Sequence, residues 1–326
     1  MRVLITGITG MVGSHLADFI LREHPGVAVH GLVRWRSPRG NVRHLEGRVA
    51  LHEGELRDLH SLVRVLAAAR PDRIFHLAAQ SYVSASFTAP ADTLHTNVIG
   101  TTNLLDAVRL TGLDPLVHVC SSSEVYGQVT AAEVPIRETN ELRPASPYAV
   151  SKVGEDLVAQ QYHRSYGLRI VRTRMFTHTG PRRGDVFAES AFAKQIAEIE
   201  AGVRANPVRV GNLASVRTFA DVRDAVRAYW LLLERGTPGE VYNIGGEETM
   251  TVGEMLERLK AMARCPIAHA VDPALVRPSD VTLQIPDTTK FRAATGWRPE
   301  IPVERTLRDL LDWHRARLRE APELAA

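Results

Sequence analysis

A glycine-rich turn near the start of the chain is the feature that most constrains its fold. The turn follows residues 2–6, Arg-Val-Leu-Ile-Thr, which are typical of a strand buried on both faces. Gly7, Gly10 and Gly13 form the turn. Apolar residues then recur at helical spacing, at Val12, Leu16, Ile20 and Leu21. Because such a turn brings the free N–H groups of a helix N-terminus close to an anion, it predicts a site for the pyrophosphate of a dinucleotide.

The first half of the chain alternates between predicted strands and predicted helices. Strands are expected over residues 2–6, 27–33, 49–52, 73–77, 116–120 and 168–172. Besides the helix after the glycine turn, helices are expected over residues 61–69, 97–110 and 151–166. This rhythm predicts parallel strands joined by right-handed crossovers, and therefore a Rossmann-type doubly wound α/β sheet.

Beyond residue 174 the regular alternation stops. Helices are expected over residues 189–201, 220–234, 252–263 and 301–318, and short strands over residues 208–210 and 241–244. We expect residues 1–174 to form an NAD(P)-binding domain, to which part of the later chain returns. Residues 175–326 are expected to form mainly a smaller α/β substrate-binding lobe, with a cleft between the two units.

Charge and cysteine usage exclude several kinds of partner. The chain has 40 Lys and Arg against 37 Asp and Glu, and a net charge of +3 gives no indication of nucleic-acid binding. No apolar stretch approaches the roughly 20 residues that span a bilayer, and no signal-peptide pattern is present. Cys120 and Cys265 lack metal-ligand spacing, and free thiols point to a reducing compartment. We therefore expect a cytoplasmic protein without metal, membrane or nucleic-acid partners.

The end of the second predicted strand favours one nicotinamide cofactor over the other. NAD sites usually place an Asp or Glu there to bind the ribose hydroxyls. This chain instead has Arg34, Arg36 and Ser37 around Trp35, and arginine suits a 2′-phosphate because its guanidinium binds phosphate with two parallel hydrogen bonds. The segment predicts NADP, with NAD as the alternative if the arginines form only a solvated basic loop.

Three polar residues predict a catalytic centre. Tyr148 and Lys152 are four residues apart, a spacing that places two residues on one face of a helix. A nearby ammonium lowers the pKa of a tyrosine, so that the phenol can act as a base near neutral pH. Ser122 follows the fifth strand, at the carboxyl edge where open parallel sheets bind their ligands. The trio is suited to moving a proton to or from a substrate hydroxyl.

Four motifs carry a resemblance to a known superfamily. They are Thr6-Gly7-x-x-Gly10-x-x-Gly13, Leu77-Ala78-Ala79-Gln80, Ser121-Ser122-Ser123 and Tyr148-x-x-x-Lys152. With them, the chain resembles the extended short-chain dehydrogenases/reductases that act on nucleotide sugars. More narrowly, it resembles the GDP-mannose 4,6-dehydratases and their sister family, the GDP-4-keto-6-deoxy-D-mannose reductases. The narrower resemblance rests on residues 30–34, 79–83, 122–127, 178–184 and 277–281.

Glu124 separates the reactions of these two families. A reductase needs only Ser122, Tyr148 and Lys152, whereas a 4,6-dehydratase also needs a carboxylate. The hydroxyl-Ser-Glu pattern of the dehydratases matches Ser122, Ser123 and Glu124. The resemblance implies that Tyr148 deprotonates the C4 hydroxyl of GDP-mannose, and that Glu124 removes the C5 proton and protonates the departing C6 hydroxyl. Hydride would pass to NADP and return to C6, giving GDP-4-keto-6-deoxy-mannose. The alternative for Glu124 is a solvated loop acid.

The resemblance also implies which residues bind the cofactor and a GDP-sugar. The cofactor set is Gly7, Thr9, Gly10, Met11, Val12, Arg34, Arg36, Glu55, Leu56, Leu77, Ala78, Ala79, Ser81, Tyr148, Lys152, His178 and Arg183. The substrate set is Ser81, Ser123, Thr177, Arg217, Arg277 and Asp280. Residues 34–43 resemble a loop that reaches a neighbouring subunit in the dehydratases, whereas the superfamily usually forms dimers. We expect a homo-oligomer, either a dimer or a tetramer.

Some residues depart from the dehydratase pattern. Thr177 stands where the dehydratases carry Asn, and Glu55 stands where an Asp is usual. Residues 97–101 and 192–196 look more like the reductase branch. The alternatives are therefore an NAD(P)H-dependent GDP-4-keto-6-deoxyhexose reductase, a nucleotide-sugar 4-epimerase and a non-catalytic dinucleotide sensor. The catalytic trio argues against the sensor, because binding alone does not need it.

Overall fold

The computed structural model describes residues 1–276 and 280–320, so the prediction for Arg277 lies outside the described residues. The strands are β1 (Arg2–Thr6), β2 (Ala28–Val33), β3 (Ala50–Glu53), β4 (Arg73–His76), β5 (Leu116–Ser122), β6 (Ile170–Met175), β7 (His178–Thr179), β8 (Val208–Val210), β9 (Val216–Thr218), β10 (Ala220–Asp221), β11 (Val241–Ile244), β12 (Thr249–Thr251), β13 (His269–Val271) and β14 (Leu283–Gln284). The helices are α1 (Met11–Glu23), α2 (Leu59–Ala69), α3 (Val83–Thr88), α4 (Pro90–Leu94), α5 (Gly100–Thr111), α6 (Pro147–Tyr166), α7 (Ala188–Glu200), α8 (Val222–Arg235), α9 (Val252–Ala261), α10 (Thr289–Thr295) and α11 (Val303–Glu320).

Seven parallel strands form the central sheet, in the order β11-β6-β5-β4-β1-β2-β3. The strand order reverses between β1 and β4, and the glycine turn follows β1 at that point. Open α/β sheets bind ligands outside the carboxyl ends of their strands at such a reversal. The prediction of a Rossmann-type doubly wound α/β fold is confirmed.

The two faces of the sheet are buried under different helices. Val3 and Ile5 of β1 pack in one apolar cluster with residues of α1 and α8. Leu4, between them in sequence, packs in a second cluster with residues of α2, α5 and α6. Successive side chains of a strand point to opposite faces, and both faces are covered here. For this reason β1 is apolar throughout its interior instead of alternating.

The second part of the chain builds a smaller set of layers beside the sheet. α7, α9 and α11 surround a separate apolar cluster together with β8. Among the described residues beyond 174 there are three small sheets, β12-β9-β14, β13-β8 and β10-β7. β11 returns to the central sheet and pairs with β6, and we propose the domain boundary at residue 174 with β11 as the returning segment. Within the described residues no helix is long and apolar enough to cross a membrane.

Helix α6 begins earlier than the sequence pattern indicated. Ser146 caps its N-terminus by accepting a hydrogen bond from the Ala149 N–H at 3.1 Å, and Pro147 occupies the first turn. Both residue types are favoured at these positions, because Ser satisfies a free N–H group and Pro has none to satisfy. The early start places Tyr148 and Lys152 on one continuous helix.

Buried ion pairs fix α6 against β6. Asp156 of α6 is fully buried and accepts hydrogen bonds from Arg172 and Arg174 of β6, the latter at 2.7 Å. Arg174 also donates to the hydroxyl of Tyr126 at 3.1 Å. The polar end of β6, which the sequence analysis left out of the strand, is therefore buried through these hydrogen-bonded charges.

We expect Asp156→Asn to destabilise the fold by about 3–5 kcal/mol, because two buried guanidinium groups lose their counter-charge. Urea unfolding followed by circular dichroism measures the change. Asp114→Asn is the matched control, since Asp114 faces Arg169 at 3.6 Å on the surface and is 73% exposed. Equal stability of the two variants would contradict the structural role given to Asp156.

Candidate active site

A single cleft runs along the carboxyl edge of the central sheet and continues onto the smaller lobe. Its volume is about 1230 Å³, somewhat above the range of about 300–1,000 Å³ that is usual for one small-molecule site. The glycine turn, the ends of β2, β4 and β5, the start of α6 and residues of the lobe all line it. The cleft has room for a dinucleotide together with a second ligand.

The glycine turn after β1 leaves no space for a Cβ at Gly7 or Gly13. Gly7 has a φ of +71°, and a Cβ there would lie 2.9 Å from the Cα of Ala78. A Cβ at Gly13 would lie 2.4 Å from the carbonyl oxygen of Gly7. Gly10 precedes α1, and no side chain caps this helix. The uncapped N-terminus lines the cleft, so its N–H groups and positive dipole end fit a pyrophosphate.

The end of β2 presents a basic group to the cleft. Arg34 and Ser37 line it, and the Ser37 hydroxyl accepts a hydrogen bond from the Arg34 N–H at 3.1 Å. Arg36 lies outside the lining, with its guanidinium 4.4 Å from the centre of the exposed Trp35 ring. Of the two arginines that sequence reasoning assigned to a 2′-phosphate, the structure places Arg34 at the cleft.

Tyr148 lies buried where α6 meets the end of β5. Burial raises the pKa of Tyr148, while the Lys152 ammonium and a hydrogen bond from Ser122 lower it. The expected effect of the ammonium is therefore present, but burial outweighs it in the protein alone. The phenol keeps its proton at neutral pH, beside two groups that stabilise the charged form.

Lys152 is held by two fixed acceptors. Its Nζ donates to the backbone carbonyl of Cys120 on β5 at 2.8 Å and to Oε2 of Glu155 at 2.6 Å. Sequence reasoning missed Glu155, although its spacing of three residues after Lys152 places the two on neighbouring positions of a helix.

Glu124 lies in the 3₁₀ turn Ser123–Tyr126 that follows β5. Ser122 caps this turn by accepting the Glu124 N–H at 3.2 Å. Gln284 of β14 donates from Nε2 to Oε1 of Glu124 at 3.3 Å and accepts from the Ser123 hydroxyl at 3.0 Å. A residue of the smaller lobe thus orients the carboxylate, and its separation of 160 positions from Glu124 gave the sequence no signal.

Asn97 is a third residue, after Glu155 and Gln284, that sequence reasoning did not assign to the site. It lies in the π-helical turn His95–Ile99, between α4 and α5. Its amide donates to Ser151 of α6 at 2.8 Å, and its Oδ1 accepts the N–H of Gln80 at 2.7 Å. Asn97 therefore ties the loop after β4 to the helix that carries Tyr148. Such π-helical turns are frequently found at functional sites.

The structure brings most of the predicted site residues together. Those that line the cleft are Gly7, Thr9, Gly10, Met11, Val12, Arg34, Glu55, Leu56, Leu77, Ala78, Ala79, Ser81, Ser122, Ser123, Glu124, Tyr148, Lys152, Thr177, His178, Arg183, Arg217 and Asp280. Their roles in binding stay predictions.

The lobe side of the cleft carries paired charges. Arg183 donates to Glu189 at 3.0 Å and lies over the ring of Phe187 at 3.5 Å. Burial and the charge of Arg183 lower the pKa of His178 to about 4, so this imidazole is neutral at physiological pH.

Arg217 and Asp280 lie at the far end of the cleft, 3.8 Å apart. Asp280 accepts hydrogen bonds from Asn212 at 2.8 Å and from Ser215 at 3.1 Å. These contacts hold the carboxylate in place beside the guanidinium.

Comparison with known proteins identifies the family. The family model described as GDP-mannose 4,6 dehydratase matches residues 4–310. The chain belongs to this family. It is 34% identical to the GDP-6-deoxy-D-mannose reductase of Pseudomonas aeruginosa over 98% of this chain and 99% of that protein. It is 33% identical to the GDP-mannose 4,6-dehydratase of Yersinia enterocolitica over 93% of this chain and 91% of that protein.

A solved structure of RMD from Pseudomonas aeruginosa complexed with NADPH has a TM-score of 0.85 to this chain. The sequences are 33% identical, and the match covers 97% of this chain and 99% of that one. Membership of the GDP-mannose 4,6-dehydratase family confirms the resemblance that the sequence motifs indicated, including the presence of a reductase among the relatives.

We expect Gly13→Ala to weaken dinucleotide binding on the order of tenfold, because the added methyl group would displace the turn that receives the pyrophosphate. Titration calorimetry with NADP measures the affinity. Gly26→Ala is the control, since a Cβ at Gly26 meets no atom within 4 Å. Unchanged affinity in the Gly13 variant would show that the dinucleotide does not use this turn.

Proposed function

We propose that the protein is a nucleotide-sugar 4,6-dehydratase, a lyase that converts GDP-mannose to GDP-4-keto-6-deoxy-mannose. The observation that carries the proposal is the position of Glu124, whose carboxylate lines the same cleft as Ser122, Tyr148 and Lys152. A reductase or an epimerase has no need for a carboxylate that removes the C5 proton. Membership of the GDP-mannose 4,6-dehydratase family supports the same conclusion.

The cofactor in this proposal is NADP, with NAD as the alternative. The glycine turn and the uncapped start of α1 fit a pyrophosphate, and Arg34 at the cleft supports a 2′-phosphate. The related Pseudomonas structure is a complex with NADPH. When bound, the nicotinamide would supply a hydride acceptor for C4 and a hydride donor for C6, so that no net oxidation occurs.

Tyr148 is the base for the first proton transfer in the proposed reaction. After the phenol has released its proton to solvent, the phenolate of Tyr148, which the Lys152 ammonium beside it stabilises, takes the proton of the C4 hydroxyl. Ser122, which lines the cleft beside Tyr148 and lowers its pKa, would hold the same substrate oxygen.

Glu124 carries out the elimination. A ketone at C4 acidifies the C5 proton, because the carbanion delocalises into the carbonyl group. The Glu124 carboxylate, oriented by Gln284, takes this proton and delivers it to the departing C6 hydroxyl. One carboxylate thus serves as base and then as acid, and water leaves. The hydride returned to C6 is matched by one proton at C5, which balances the proton that Tyr148 took from the C4 hydroxyl.

The lobe supplies the contacts to the nucleotide in this proposal. Arg217 and Arg277 would bind the diphosphate, for which the guanidinium fork is well matched. Asp280, held by Asn212 and Ser215, would accept hydrogen bonds from ribose hydroxyls. Ser81, Ser123 and Thr177 would contact the sugar. We also propose a homo-oligomer, either a dimer or a tetramer.

A reductase is the second candidate, because the Pseudomonas reductase aligns with this chain nearly end to end. One assay separates the two. The purified protein is mixed with GDP-mannose without added cofactor, and the nucleotide sugar is analysed by mass spectrometry. Loss of one water supports the dehydratase. NADPH oxidation by the 4-keto sugar without such loss supports the reductase, and an isomerised sugar supports an epimerase.

We expect Glu124→Gln to slow water loss by about 100-fold or more, because an amide cannot take the C5 proton. Binding of NADP should stay unchanged, since the glycine turn is untouched. Glu141→Gln is the control, as Glu141 is exposed and outside the cleft. Undiminished elimination in the Glu124 variant would exclude its role.

We expect Arg34→Ala to weaken NADP binding about tenfold and to leave NAD binding unchanged, because only NADP has a phosphate for the guanidinium. Arg36→Ala should have a smaller effect, since Arg36 lies over Trp35. Arg64→Ala, on the exposed side of α2, serves as the control. Equal losses for both cofactors in the Arg34 variant would argue against a 2′-phosphate site. Fluorescence titration provides the affinities.

A further inference from the structure

A buried carboxylate that the proposed mechanism does not use lies beside Tyr148 and Lys152. Glu155 follows Lys152 by three residues on α6, and its side chain is 1% exposed. Its Oε2 is 2.6 Å from Lys152 Nζ, and the Lys152 side chain is 6% exposed. Water and salt screen such a pair far less than a surface pair, so each charge strongly affects the other.

The contacts of Lys152 explain what Glu155 does to its position. Nζ is hydrogen-bonded to Glu155 on its own helix and to the carbonyl of Cys120 on β5. The chain reaches Ser122 two residues after Cys120. Because one acceptor comes from α6 and the other from β5, the ammonium stays at the junction where Tyr148 and Ser122 meet.

The charge of Glu155 also acts on both catalytic groups. Burial lowers the pKa of Lys152, but Glu155 opposes this so strongly that the pKa of the lysine lies above its ordinary value. Burial raises the pKa of Tyr148, Lys152 lowers it, and Glu155 raises it further. Burial raises the pKa of Glu155 itself, against the opposing effect of Lys152. The Glu155 carboxylate therefore keeps Lys152 protonated. It also partly offsets the decrease in the pKa of Tyr148 that Lys152 causes.

Other titratable groups pack around this pair from each neighbouring element. They are His76 of β4, His118 and Cys120 of β5, Asp156 of α6 and Tyr229 of α8. Burial lowers the pKa of both histidines to about 3, so they are neutral at physiological pH. Burial raises the pKa of Cys120 and Tyr229, so both stay protonated. Asp156 is engaged by two arginines of β6. Among these groups, Glu155 is the anion in contact with Lys152.

We propose that Glu155 is a positioning residue that holds Lys152 in place as a cation and limits how strongly Lys152 draws the proton from Tyr148. This inference rests on the use of Tyr148 and Lys152 in the proposed function, and the reductase alternative uses them as well. Glu155 thereby sets the pH range over which the enzyme works, without touching the substrate itself.

The test is the pH profile of kcat for Glu155→Gln, which removes the charge and keeps the shape. Because the carboxylate raises the pKa of both Tyr148 and Lys152, its loss should move the whole profile to lower pH by about one unit. A residue with only a packing role would lower kcat at every pH and leave the profile in place. A profile that does not move would overturn the proposal.

A second variant and a control complete the experiment. Glu155→Met also removes the charge at similar volume, and both variants are expected to lose stability, because Lys152 is left buried without its counter-charge. The same shift is expected in whichever variant folds, as judged by its thermal midpoint. Glu257→Gln is the control, because Glu257 forms the same three-residue pair with Lys260 but is 57% exposed. Its profile should coincide with that of the unchanged protein.

Failure of the proposed function can be recognised separately. If the unchanged protein removes no water from GDP-mannose, the profile is recorded for NADPH oxidation with the 4-keto sugar. In that direction Tyr148 donates its proton, and the alkaline limb should move to lower pH for the same reason. An unmoved limb in this reaction would also overturn the role of Glu155.

Discussion

The active site depends on how the buried charges of α6 are compensated. Asp156 binds two arginines of β6 and fixes the helix to the sheet. One residue earlier, Glu155 forms an ion pair with Lys152, which also donates to β5. Uncompensated charges in these positions would cost several kcal/mol each. Pairing across two elements therefore stabilises the fold and, because Tyr148 lies on the same helix, also sets the place of the catalytic phenol.

The reaction that we propose requires two parts of the chain to meet. The glycine turn and α6 belong to the central sheet, whereas Gln284 reaches Glu124 from a small sheet of the lobe. Packing of the lobe against the end of β5 thus orients the carboxylate that separates elimination from simple reduction. The cofactor site and the eliminating group are positioned by different structural units, which allows one fold to support several reactions of nucleotide sugars.

Local patterns in the sequence were sufficient to predict much of the fold. The predicted strands over residues 2–6, 208–210 and 241–244 agree with β1, β8 and β11, because short apolar runs between turn residues have a strong local signal. The start of α6 was placed late and the end of β6 too early. The start of α6 is indicated locally by Ser146 and Pro147, which the apolar periodicity does not include. The end of β6 contains Arg174, whose burial depends on Asp156, and a partner 18 positions away cannot be read from a local pattern.

The sequence by itself determined the glycine turn, the Tyr148–Lys152 pair and the carboxylate at Glu124, since each depends on residue type and short spacing. The tertiary structure decided which groups surround them. It placed Arg34 at the cleft and Arg36 over Trp35, and it brought Gln284 to Glu124. Burial in the folded chain raises the pKa of Tyr148 by more than the Lys152 ammonium lowers it. Desolvation and long-range hydrogen bonds arise only when the chain packs, and the state of each catalytic group depends on them.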